Sequence, residues 1–162
     1  MSRNIKEDAE FYRLGLESRL CTVEEAIAWC DAVIMEEAEP DVAIIDASLE
    51  GSSGSDTVAG ELRGVKGKVE EIVVLRRFFA YLLDLLVRDQ GYGYRIAAHL
   101  TDMTSLYNDG ERFPGVDWSE VYDLDLYFEM PDDIEADNWS RREVVGEEEV
   151  ELTLRFLKRE GR

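Results

Sequence analysis

The stretch from Val69 to Val87 constrains this chain more than any other. Val69, Ile72, Val73, Val74, Leu75, Phe78, Phe79, Tyr81, Leu82, Leu83, Leu85, Leu86 and Val87 would cover most of the circumference of a helix. Glu70, Arg77, Asp84 and Arg88 stand at spacings of seven, seven and four, so they share one helical line, which is expected to face water. A helix apolar on its other sides must be covered from several directions. That makes 69–88 the expected central helix of an all-α, single-domain bundle over 1–162. A membrane span is excluded by charge, because it needs about 20 largely apolar residues and Arg76, Arg77 and Asp84 interrupt this run. Arg76 lies off the polar line, so its guanidinium is expected to reach solvent or meet a carboxylate of another helix.

Charge is the second strong feature. The 162 residues carry 37 acidic side chains against 18 Lys and Arg, a formal net of -19. Such a surface repels nucleic acid backbones and anionic membranes and attracts basic partners. Glu24, Glu25, Asp31, Glu36, Glu37, Glu39 and Asp41 follow one another with no base among them, the sign reverses between Arg63 and Arg95, and the chain turns acidic again after Gly115. A length of this order buries about 70% of the unfolded surface, so no staple is required. Cys21 and Cys30 are too few for a disulfide framework or a zinc site and are expected to be reduced and packed. Met1 to Glu10 has no apolar run behind its charges, so no secretory signal is expected and the cytoplasm is the expected compartment.

Along the chain, Glu7 to Leu20 reads as a first helix, with Phe11, Leu14 and Leu16 apolar and Gly15 a weak point. Thr22 with Glu25 three residues later forms the pattern of a capping box, opening a second helix whose apolar face is Val23, Ala26, Ile27, Cys30, Val33 and Ile34. Trp29 lies off that face and serves either as a contact with the first helix or as part of a partner surface. Pro40 is placed to open a third helix with Val42, Ile45 and Leu49 as its apolar stripe. Gly51 to Ser55 is a turn without the spacing of a phosphate-binding loop. A short helix over Asp56 to Leu62, capped by Asp56 or Thr57, leads to the hub.

Beyond the hub, Gly91-Tyr92-Gly93 turns the chain without completing a dinucleotide fingerprint. Ile96, Leu100, Met103 and Tyr107 keep helical spacing, and the single histidine, His99, is expected on the exposed side. Asn108 to Pro114 reads as a loop, and Asp117 with Glu120 repeats the capping pattern. Two periods compete at 121–130 and 148–157, where alternation would give a C-terminal β-hairpin and an α+β fold. Acids at Glu147 to Glu149 and bases at Arg155, Lys158 and Arg159 suit a helix dipole and favour helices. Pro131 to Gly146 is an acidic loop. Its Asp132, Asp133, Glu135 and Asp137 miss the register of a calcium loop, so neither a metal nor a cofactor is expected.

The chain therefore reads first as a non-catalytic acidic domain docking a basic protein, an immunity-type antagonist or an adaptor. The expected contact residues are Glu24, Glu25, Trp29, Glu36, Glu37, Asp132, Asp133, Glu135 and Trp139. A second reading is a hydrolase or metal-dependent enzyme using paired carboxylates among Asp123, Asp125, Asp133 and Glu135. A third is a structural subunit that self-associates through Trp29, Trp118 or Trp139. No catalytic motif is complete in the sequence.

Overall fold

A computed structural model describes residues 3–106, 115–128 and 147–162. The described residues form eight α-helices and one short 3-10 helix, with no strand among them. In order these are α1 (Ile5–Glu17), α2 (Val23–Glu36), α3 (Val42–Leu49), α4 (Ser55–Arg63), α5 (Glu71–Arg88), the 3-10 turn Gln90–Tyr92, α6 (Gly93–Leu106), α7 (Ser119–Phe128) and α8 (Glu147–Glu160). The all-α expectation holds, and the segments that could have formed a hairpin are the helices α7 and α8. The expected loop at 108–114 and the acidic loop at 131–146 lie outside the described residues, as does Tyr107.

The internal contacts cluster into two compact units, Met1–Phe78 and Phe79–Arg162, with the division inside α5. In the first unit α1 lies along α4, α2 along α3, and α3 also meets α4. The core gathers Leu16, Trp29, Cys30, Val33, Ile44, Val58 and Leu62 among others. In the second unit α6, α7 and α8 pack on one another. Phe79 meets the edges of Trp118 and Phe156 at 5.8 and 5.0 Å, and Trp118 stacks on Phe156 at 5.3 Å.

The buried face of α5 is narrower than the apolar pattern suggested. Val74, Leu75, Phe78, Phe79, Leu82, Leu85 and Leu86 are buried, at three-and-four spacing. The exposed side is wider than the line Glu70, Arg77, Asp84 and Arg88, because Val73, Arg76 and Val87 share it. Arg76 follows the first of its two expected courses and reaches solvent. Arg77 reaches Asp8 of α1 and lies over the Phe11 ring at 4.5 Å.

Helix ends follow local chemistry where partners are close in sequence. The Thr22 hydroxyl accepts from the Glu25 N–H at 3.2 Å, and the Glu25 carboxylate accepts from the Thr22 N–H at 2.8 Å, completing the capping box. Helix α3 starts after Asp41 rather than at Pro40, because the Asp41 carboxylate accepts from the Ala43 N–H at 3.0 Å. Helix α4 starts after Gly54, with no side-chain cap from Asp56 or Thr57. At α7 the Asp117 carboxylate accepts from the Ser119 N–H at 3.0 Å. Glu120 does not reach back, however. It accepts from Arg159 of α8 at 2.5 Å, and Glu160 takes the Asp117 N–H at 3.4 Å.

Gly15 is required rather than weak. A Cβ there would stand 2.5 Å from the Cys21 Cβ, so the end of α1 and the following turn can approach only because the side chain is absent. The carbonyl of Gly15 in turn accepts from the Leu20 and Cys21 N–H groups, both at 2.9 Å.

Candidate interaction surface

The acid-rich segment Glu24 to Asp41 occupies α2, the link that follows and the cap of α3. Two contacts orient this hairpin. The Ser48 hydroxyl donates to Asp31, and Gly51 lies beside the Ile27 side chain, so α3 runs antiparallel to α2. The inner faces are Ala26, Trp29, Cys30 and Val33 on α2 and Ile44 and Ala47 on α3.

The acids on this hairpin are in different states. Glu25 is held in the capping box, and Glu36 pairs with Arg3 at 3.0 Å. Asp41 accepts from the backbone N–H groups of Lys66 and Ala43, which hold its carboxyl below the usual range. Glu24, Glu37, Glu39 and Asp46 are exposed and meet no cation among the described residues. Elsewhere in the same unit several acids are paired. Glu10 pairs with Lys6 and Arg13, Glu17 with Arg13 and Arg63, and Asp8 with Arg3 and Arg77. Glu7, Glu61, Glu70 and Glu71 also meet no cation among the described residues, but residues 24–50 hold nine acids and no Lys or Arg, so uncompensated charge is densest on the hairpin.

Trp29 is not on this surface. It is 5% exposed and stacks on Tyr12 of α1 at 5.0 Å, which makes it a helix contact in the core. Its indole N–H is buried without a hydrogen-bond partner among the described residues. Trp118 is likewise engaged inside its own unit by Phe79 and Phe156. Asp132, Asp133, Glu135 and Trp139 lie outside the described residues. The structure therefore brings Glu24, Glu25, Glu36 and Glu37 onto one hairpin and removes Trp29 from the set.

The apolar stripe expected inside α3 is turned outward. Val42 is 67% exposed and Leu49 76%, Ile45 is half-buried, and the core instead takes Ile44 and Ala47. Met35 at the end of α2 is 88% exposed. Sequence reasoning missed Met35 and Asp46 as surface residues of interest. For Met35 the signal was present, since it lies off the apolar face of α2.

The remaining chemistry-bearing groups are enclosed or solitary. Cys21 and Cys30 are free and buried, and burial pushes both thiols up to about 12, which suits packing rather than nucleophilic attack. His99 is half-buried rather than exposed. Of the paired-carboxylate candidates, Asp123 is exposed, and the Asp125 side chain, Asp133 and Glu135 lie outside the described residues. Among the described residues no three His, Cys, Asp or Glu side chains are grouped to hold a metal ion, and no helix is long and apolar enough to cross a membrane. Compared with models of known protein families, with curated proteins and with solved structures, the chain matches none.

Proposed function

We propose that this chain is a non-catalytic acidic protein-binding domain whose α2–α3 hairpin docks a basic partner protein. Its role would be that of a cytoplasmic adaptor or an immunity-type antagonist masking a basic surface. The observation that carries this reading is the contrast within one unit. Asp8, Glu10 and Glu17 of α1 are matched by Lys6, Arg13, Arg63 and Arg77, whereas Glu24, Glu37, Glu39 and Asp46 stand in a stretch, residues 24–50, that holds no Lys or Arg, and meet no cation among the described residues. Unpaired surface carboxylates of one sign repel each other and gain from a complementary partner, which raises association rates and disfavours acidic competitors.

The test is the association rate of the full chain with a flexible lysine-rich peptide lacking apolar residues. Salt would run from about 20 to about 300 mM, a range over which the screening length shortens several-fold. Wild type is expected to lose about tenfold or more in rate. The variant E37K/E39K/D46K should lose most of the low-salt rate. The charge-matched variant E70K/E71K/D123K alters exposed acids elsewhere and should lose much less. Equal losses in the two variants would show that net charge acts without a docking face, and a salt-insensitive rate would overturn the reading.

A further inference from the structure

The acids of the hairpin stand around a line of apolar side chains that charge does not explain. Val42, Ile45 and Leu49 follow one another at spacings of three and four, so they lie in one row along α3, on the side away from buried Ile44 and Ala47. The contacts of Ser48 with Asp31 and of Gly51 with Ile27 set an antiparallel register that places Met35, at the end of α2, near the start of α3. Large apolar side chains contiguous in water and bordered by polar residues mark an interaction site. Methionine suits such a site because its unbranched side chain adapts to the shape it meets.

Charge selects the occupant. A second copy would meet the row through the same patch, bringing Glu37, Glu39 and Asp46 against their own counterparts on a chain of net -19. An anionic membrane is disfavoured on the same ground. A partner that covers the row and neutralises its border needs apolar residues on one side and Lys or Arg beside them. An α-helix meets both needs when its apolar residues recur at three and four, since that spacing matches the row on α3. We propose that Met35, Val42, Ile45 and Leu49 dock the apolar face of a basic amphipathic helix, with Glu37, Glu39 and Asp46 engaging its flanking cations. The proposal rests on the acidic-docking reading above and specifies the partner's form.

The experiment uses the full chain and two synthetic peptides of roughly five helical turns, built only from Leu and Lys in identical amounts. One places Leu at three-and-four spacing. The other is scrambled, so it keeps the charge and loses the apolar face. Calorimetric titration should show the amphipathic peptide binding at least about tenfold more tightly, the scale expected when two or three apolar side chains leave water. V42S/L49S should abolish that advantage while leaving the affinity for the scrambled peptide unchanged. Both positions are exposed, so the melting temperature should hold. M35S, at the most exposed site, provides a second variant if the pair unfolds the hairpin. Equal binding of the two peptides, or an advantage that survives V42S/L49S and M35S, would overturn the helix proposal and leave electrostatic docking standing. Failure of both peptides to bind would overturn both readings. Self-association of the wild type that V42S/L49S abolishes would give the row to a second copy and overturn the proposal.

Discussion

Replacing Asp8 by Ala removes the carboxylate on which two arginines converge. Asp8 accepts from Arg3 Nε at 2.6 Å and from Arg77, and its side chain is nearly covered while both guanidinium groups are about half exposed. A hydrogen bond to a charged group contributes about 1.5–3 kcal/mol. Two of them set an upper range near 3–6 kcal/mol, but half-exposed guanidinium groups regain water when released, which discounts the sum. We expect a loss of about 2 kcal/mol for the Met1–Phe78 unit in urea denaturation at neutral pH. D8N, which keeps the shape and removes the charge, should lose a similar amount. Burial alone would raise the Asp8 pKa, but hydrogen bonds from Arg77 and Arg3 bring it below its usual value. The stability it supplies is therefore complete above the unfolded-state pKa of about 3.9 and is lost as pH falls through the lower folded value. The gap between wild type and D8A should close toward about pH 2. A gap under about 0.5 kcal/mol at neutral pH, or one that persists unchanged in acid, would refute the ion-pair argument.

Gly15→Ala should destabilise the chain by about 1–3 kcal/mol in the same assay, because the added methyl meets Cys21 Cβ at 2.5 Å. Asp41→Ala removes the α3 cap and the acceptor for the Lys66 N–H together, so it should cost about 1–2 kcal/mol, against about 1 kcal/mol for Thr22→Ala, with thermal melting as the readout. Cys21 and Cys30 should resist a disulfide-exchange reagent in the native protein at mildly alkaline pH and react once urea unfolds it, since both thiols are buried and pushed up to about 12.

What the sequence made legible was the chemistry between near neighbours. Thr22 and Glu25 are three residues apart, so their reciprocal cap follows from residue type and spacing alone. Asp117 and Glu120 present the same pattern, but Arg159, distant in sequence, takes the glutamate and Glu160 takes the backbone N–H. The Asp8 contact with Arg77 joins helices far apart in the chain and was equally hidden. In α5 the abundance of apolar residues suggested burial on every side but the line through Glu70, Arg77, Asp84 and Arg88, yet Val73 and Val87 are exposed, because apolar residues are common on surfaces and composition does not select a face. Helix α3 shows the same limit. Its rows Val42-Ile45-Leu49 and Ile44-Ala47 both fit a helix, and only packing against α2 and α4 decides which goes inward. The acidic run was visible as charge, but the engagement of Glu25 and Glu36, the burial of Trp29 and the exposure of Met35 depend on tertiary partners.

Amide chemical-shift mapping of the full chain during titration with the amphipathic Leu/Lys peptide tests the central claim most directly, because it reports the docking face residue by residue. The account predicts that the shifts concentrate between Met35 and Leu49 and fade as salt rises. Shifts spread over α1 and α4, or concentrated on α6 to α8, would contradict it.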